Sequence, residues 1–375
     1  MSTLNVNAID KESGSTLTLG GSGTTVNVSN MVPDVALSNR NLVINGAMNV
    51  AQRGTQVTGV TTGDHRTVDR SFFNIGNLGT WTIDQSTDAP NGFSNSHKIT
   101  CTTADASPAA SDYVLHNYFV EAKDLQHLAY GTADAKTMTI SFWVKSNKTG
   151  TASYSILQMD NSLKMFSAGY TINSANTWEY KTILIPADTA GIINNDNGTG
   201  LNMAWWLNTG SDWTGGSFTG SWVAEDSTRK NASNLGVGGA VNDYFAITGI
   251  QMEVGSVATP FEHESYGNTL AKCQRYYQKS YNIDVVPQTN NAAGRHYFYL
   301  SPNTTSGNKG ATVSFPVTMR ASPSVTIYRE SDGAAGVFSN GATANVITIG
   351  QRSFMAYANS TGQDFFAHWV ADSEL

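Results

Sequence analysis

The sequence predicts an all-β protein, and three observations predict it. Charged residues make up only 14 % of the 375-residue chain, well under the quarter usual for soluble domains. Glycine is abundant, at 35 residues, and aromatics reach 10 % with 8 Trp, a mixture that suits strands joined by tight turns under a weakly charged surface. Apolar and polar residues alternate with a period of two in several stretches, and few stretches show helical spacing.

The clearest strand is Met138–Lys145. Met138, Ile140, Phe142 and Val144 point one way there, and Thr139, Ser141, Trp143 and Lys145 the other. Trp178–Ile185 and Tyr244–Val254 are the next best strands. Asn147–Gly150 and Asn173–Thr177 read as turns, and Glu121–Tyr130 as a short helix. Many strands without alternating helices imply a sandwich or jelly roll rather than a parallel sheet. Residues 37–263 are therefore read as one large jelly-roll-like β-sandwich.

Before it, residues 1–36 hold short β pieces, Leu4/Val6, Leu17/Leu19 and Val26/Val28, punctuated by Gly20–Gly23. They are too sparse in large side chains to form a core alone. A threefold stalk, with Leu4, Val6, Leu17 and Leu19 at its interface, is one reading, and a flexible tail the other. After the sandwich, Ile247–Tyr281 begins as a strand, turns through Gly255 and Pro260, and is expected to end as a connecting helix over Tyr266–Lys279, within 264–282. Leu270, Cys273 and Tyr277 fall on one face of it. Tyr276 and Tyr277 are expected at an interface between domains or subunits. Residues 283–375 read as a smaller β domain. Val313, Phe315, Val317 and Met319 alternate there with Pro316 in an edge strand or bulge, and Val325/Ile327, Val346–Ile349, Phe354–Tyr357 and Phe365–Val370 follow.

Composition limits the function. A net charge of −7 with no Lys/Arg run argues against a nucleic-acid partner, since phosphate binding needs clustered positive charge. No apolar run is long enough to insert in a membrane, and no signal peptide is visible at the N-terminus. Two cysteines, Cys101 and Cys273, do not make a disulfide framework. Cys273 reads as a small buried hydrophobe.

Three segments carry a resemblance. Gly249-Ile-Gln-Met-Glu-Val-Gly-Ser-Val-Ala-Thr-Pro-Phe-Glu262 is followed by Tyr266-Gly267 and by Leu270-Ala-Lys-Cys-Gln-Arg-Tyr-Tyr-Gln-Lys279. Asn39-Arg-Asn-Leu-Val-Ile-Asn-Gly-Ala-Met-Asn-Val-Ala-Gln-Arg-Gly54 lies near the front and Phe315–Val325 near the back. Together they resemble bacteriophage tail-fibre and virion-appendage proteins. That likeness implies a homotrimeric appendage on the virion tail or capsid, made in the host cytoplasm, docked to other virion proteins through its N-terminus and facing host surface polysaccharide. It supplies no catalytic residue. The sandwich layout is similar to carbohydrate-binding-module jelly rolls, at the level of the fold only.

The candidate recognition stretch is Leu201–Trp222. Sugars stack their C–H faces on aromatic rings while Asp, Asn and backbone groups bond the hydroxyls. Trp205, Asp212, Trp213 and Trp222 are the candidate carbohydrate-binding residues. The competing structural reading puts Trp205 or Trp206 in the core, one facing in and the other out, with Trp222 as an anchor. No cofactor is expected. Asn194–Gly200 has the oxygen-rich look of a calcium loop without its full pattern, and a plain Asn/Gly turn competes with it. Asp64–Asp69 offers further oxygen ligands, although Asp69 and Arg70 are expected to pair with each other. Asp84/Asp88 and Glu262/Glu264 are carboxylate pairs in sequence, but nothing in the sequence places either pair across the cleft a glycosidase needs. No G-x-S-x-G elbow or Cys/His catalytic context appears, so an enzyme is not expected. Receptor binding leads, a decoration or adaptor role without receptor binding is the alternative, and a glycan-degrading spike ranks last.

Overall fold

A computed structural model describes residues 38–160, 163–298, 308–359 and 365–375. The chain divides in two at Leu37–Ser38, and the second unit is Ser38–Leu375. The stalk residues Leu4, Val6, Leu17 and Leu19 lie outside the described residues.

The second unit is all-β. Its strands are β1 (Gln56–Val60), β2 (Asp64–His65), β3 (Ser71–Gly76), β4 (Thr80–Ser86), β5 (Ser96–Thr103), β6 (Tyr113–Glu121), β7 (Met138–Ser146), β8 (Gly150–Gln158), β9 (Lys164–Ile172), β10 (Glu179–Ile185), β11 (Thr199–Thr209), β12 (Val223–Ala224) and β13 (Tyr244–Val254). One sheet runs β1-β4-β5-β13-β7-β10 and the other β12-β9-β8-β11-β6-β3-β2. All their pairings are antiparallel, and their inner faces enclose one core from Val43 to Met252. The alternation read in β7 holds, with Met138, Ile140, Phe142 and Val144 all fully buried. Glu121–Tyr130 contains a 3-10 helix, Ala122–Leu128.

A second core, from Phe298 to Ala371, belongs to the C-terminal strands. These are β14 (Tyr277–Lys279), β15 (His296–Phe298), β16 (Asn308–Ser314), β17 (Ser324–Tyr328), β18 (Asn345–Ile347), β19 (Ser353–Asn359) and β20 (Phe365–Asp372). β20 pairs with β14, β15 and β17, while β19 pairs with β16 and β18. The alternating run Val313–Met319 is a strand only as far as Ser314. Pro316 cannot donate to a ladder, and the chain leaves β16 there. Phe315 and Met319 still reach the core, their N–H groups donating to Arg352 and Gln351 carbonyls at 2.8 Å.

The expected helix is shorter than its pattern, ending five residues before Lys279. α1 spans Tyr266–Gln274, with Ser265 as N-cap. The chain then straightens, and Tyr277–Lys279 pair with Asp372–Val370 as β14. The Lys279 ammonium donates to three backbone carbonyls, Gln52 at 2.6 Å, Ile283 at 3.0 Å and Val285 at 2.5 Å. Those bonds and the ladder outweigh the local helical periodicity.

The three motif segments meet in one joint. Glu262 accepts the N–H groups of Asn39, Arg40 and Asn41 at 2.6, 2.9 and 3.0 Å. The Asn41 amide bridges to Ile250 O at 3.1 Å and accepts from Met252 N at 3.1 Å. Gly46 passes so near that a Cβ would sit 2.1 Å from Ile250 O. Gln52 donates to Asp69 and to Tyr277 O, and Gln278 donates to Val317 O at 2.6 Å. The long motifs thus encode how the sandwich grips the C-terminal strands.

Asp69 and Arg70 do not pair with each other. Arg70, in the left-handed region at φ 69°, turns its guanidinium to Glu374 and to Phe119 O at 2.7 Å. Asp69 faces Gln52 and Arg53 instead.

Candidate functional site

Parity along β11 decides which tryptophan meets solvent. Leu201, Met203, Trp205 and Leu207 point into the sandwich, so Asn202, Ala204 and Trp206 lie on the outer face. Trp205 is fully buried against His116, Phe142 and Tyr154, with ring centroids 5.3, 5.6 and 5.2 Å away. It cannot touch a ligand, and the sugar-binding role expected of it is corrected on that ground. Trp222 packs edge-on against Tyr130 and donates its indole N–H to Pro186 O at 2.7 Å. It sits against the main core and anchors its loop.

Trp213 does lie on the outer face. A short 3-10 turn, Ser211–Trp213, carries it back over the sheet, and its indole N–H donates to Ser111 O at 3.1 Å. Its ring lies 5.6 Å from Trp206 at 36° and 5.3 Å from Tyr113, edge to face. Lys230 Nζ stands 5.3 Å above it and pairs with Glu225. Gly76 on β3 leaves the space for Tyr113, since a Cβ there would meet the ring at 2.7 Å. Asp212 is exposed on the same turn.

Beside these rings an amide ladder crosses three strands. Asn74 Nδ2 (β3) donates to Asn117 Oδ1 (β6) at 3.0 Å, and Asn117 Nδ2 donates to Asn202 Oδ1 (β11) at 2.7 Å. Each amide thereby fixes the orientation of the next. Rings and ladder line one open hollow of about 150 Å³, with Leu115, Leu157 and Ala204 between them. Such a volume suits a single sugar ring. Its lining residues include no Asp or Glu, so the carboxylate pair of glycoside hydrolysis is not among them.

Of the four expected residues, this hollow gathers Trp213, with Asp212 beside it on the turn. Sequence reading did not assign Trp206, Tyr113, Asn74, Asn117, Asn202 or Lys230 to the site. The signal available was the run Leu201, Met203, Trp205, Leu207, whose parity places Trp206 outside.

Tyr276 and Tyr277 are buried within the chain. Tyr276 donates to Glu121 at 2.9 Å and lies under Arg70, and Tyr277 lies under Arg53. Other candidate carboxylates already have partners. Asp84 accepts from Gln56, Asp88 from Lys145 and Trp178, and Glu264 pairs with Lys272. In the Asn194–Gly200 loop, Asp196 accepts from Gly198 N and Asn194 donates to Asp160. Among the described residues no three His, Cys, Asp or Glu gather to hold a metal, and no helix is long and apolar enough to cross a membrane.

No family model matches the chain, and no curated protein matches it. Solved structures align with about half of it. A sugar-binding protein from Bacteroides thetaiotaomicron, described as putative, is 12 % identical, with a TM-score of 0.32 over 58 % of this chain and 100 % of that one. A family 4 carbohydrate-binding module is 13 % identical, with a TM-score of 0.28 over 56 % of this chain and 98 % of that one. The enzymatically active domain of tailspike protein 4 of bacteriophage CBA120 is 13 % identical, with a TM-score of 0.29 over 57 % of this chain. The alignment spans only 21 % of that tailspike. Likeness at these scores supports no inference of ligand or ancestry.

Proposed function

We propose that this chain is a glycan-binding virion appendage that acts by adhesion without catalysis. The observation that carries the glycan reading is the Trp206–Trp213 pair beside the Asn74–Asn117–Asn202 ladder in one open hollow. Aromatic rings offer an apolar face to sugar C–H groups. Asn202 keeps donors at one end of the ladder, where a hydroxyl can accept. The absence of carboxylates from the lining favours binding over hydrolysis.

The virion part of the proposal rests on the three segments that resemble phage appendage proteins. Several such hollows on a homotrimer would raise avidity over one weak site. Light scattering on the intact protein tests this, and a mass three times the 40.1 kDa chain is expected. A monomer would remove the trimeric appendage and leave the adaptor or decoration role.

The binding test is Trp213→Ala, titrated calorimetrically with host envelope polysaccharide. Affinity should fall at least about tenfold, or ~1.4 kcal/mol. Trp222→Phe, away from the hollow, should bind as the native protein does. Unchanged binding by Trp213→Ala would refute the sheet-face site.

A further inference from the structure

A second hollow lies between the sandwich and the C-terminal sheet. It encloses about 570 Å³, inside the range of about 300–1,000 Å³ typical of ligand clefts. One wall is the face of β14, β20 and β17, where strand register sets Tyr277, Asp372 and Ser324 in one row and Val370 beside Thr326 in the next. Facing it are Arg53 and the β2 region with Asp64 and Arg66, and Val286–Gln288 complete the lining.

The charges in this cleft cancel in pairs. Arg53 Nη2 lies 3.0 Å from Asp372, and Arg66 Nη1 lies 3.5 Å from Asp64. Yet the two carboxylates remain 39 % and 57 % exposed along their side chains, so lone pairs stay open to a hydroxyl donor. A cleft with balanced pairs offers no net attraction to an anion or a cation. Ser324, Thr326 and Gln288 add hydroxyl and amide groups, while Val57, Val370 and Tyr277 supply an apolar floor. That alternation matches the C–H and O–H faces of a sugar.

Two further features set the cleft apart from a chance crevice. Gln288 holds φ 68°, a left-handed conformation unusual for a residue with a side chain. Gly333 backs it so closely that a Cβ there would sit 2.0 Å from Gln288 O. Such strain persists where the surroundings over-determine it, and it concentrates at ligand sites. His65, only 7 % exposed, also lines the cleft; its Nε2 makes no hydrogen bond among the described residues and stands 3.7 Å from the Glu374 carboxylate.

We propose that this cleft is a second saccharide site, for a neutral, hydroxyl-rich ring or short chain. It stands on its own geometry and does not require the hollow under Trp213 to bind anything.

The test is hydrogen–deuterium exchange on the intact protein, with and without a concentrated mixture of methyl glucoside, methyl galactoside and methyl mannoside. Methyl glucuronide serves as the anionic comparison. Peptides covering 286–288 and 324–328 should exchange at least about twofold more slowly with the neutral glycosides. The glucuronide should protect them less. Trp213→Ala should keep this protection, which separates the cleft from the sheet-face site. Ser324→Phe, at an exposed position, should abolish it. If the unliganded exchange pattern shows that Ser324→Phe disturbs the fold, Gln288→Ala takes its place. No protection of those peptides in the native protein, or stronger protection by the glucuronide, would overturn the proposal.

Discussion

Arg70→Ala should cost this protein about 3–5 kcal/mol of stability, because it strips one partner from a buried ion pair. The Arg70 side chain is 1 % exposed and Glu374 is 6 % exposed. Burial opposes the charge on Arg70, and the Glu374 carboxylate outweighs it, so the guanidinium pKa is raised. Burial likewise opposes ionisation of Glu374, but His65, Arg70 and Arg53 hold its pKa down to about 2. His65 is charged at the pH where Glu374 titrates, whereas at neutral pH the guanidiniums alone supply the positive charge. Removing Arg70 leaves Glu374 to Arg53, 3.4 Å away, orphans Phe119 O, and uncovers the Tyr276 ring under the guanidinium. Arg70→Lys should recover little, since one ammonium cannot span the carboxylate and the carbonyl while stacking flat on a ring. Arg70→Met with Glu374→Leu should recover much of the loss, because no buried charge is then left alone. Denaturant titration of the variants reads these differences. A loss under about 1 kcal/mol for Arg70→Ala would mean that the Glu374 end of β20 is not held by this pair.

Most of this architecture was legible from period and punctuation. Met138–Lys145 alternates strictly and became β7, and Tyr244–Val254 became its partner β13, whose inward face passes from Phe245 and Ile247 to Ile250 and Met252 across a shift in register. Fidelity ended where long-range partners overrode local pattern. Leu270, Cys273 and Tyr277 share a helical face, yet Tyr277 belongs to a strand because β20, almost a hundred residues on, claims its backbone. Asp69 and Arg70 are neighbours that pair elsewhere, since the partner of Arg70 is Glu374 at the far end of the chain. The site shows the same division. Trp213 stood out as an aromatic ring in a Gly-rich loop, and the parity of β11 was on the page. The ladder was not, because Asn74, Asn117 and Asn202 become neighbours only through the pairing of β3, β6 and β11. No spacing in one chain announces three residues from three strands.

Acid should unfold this protein early, well above the pH at which most carboxylates protonate. His97 on β5 and His116 on β6 meet in the core, Nδ1 to Nδ1 at 3.3 Å, and both are essentially inaccessible. One ring donates and the other accepts, a bond that two protonated rings could not make, and burial opposes even a single charge there. Burial lowers the His97 pKa to about 3, and burial, then the neighbouring His97 and His65, push His116 well below its ordinary value. Burial also lowers His65 to about 4, against the pull of Glu374. Each folded pKa lies below the unfolded 6.5, so the unfolded chain binds protons first as pH falls. Stability is full above about pH 6.5 and declines as pH drops toward the folded values. Glu374, lowered from 4.5 to about 2, adds a decline in the same direction below pH 4.5. At pH 5 the gap to 6.5 is worth about 2 kcal/mol for each imidazole. Denaturant titrations at pH 7.5 and pH 5 should therefore differ by several times that of a protein whose histidines are exposed. Replacing His116 by Met removes one partner and one titrating site while keeping an apolar filling. The His116→Met variant should lose less stability over the same interval than the native chain does. Equal stability of the native protein at both pH values would show that water or a rearrangement reaches these rings, and would refute the neutral-pair account of the core.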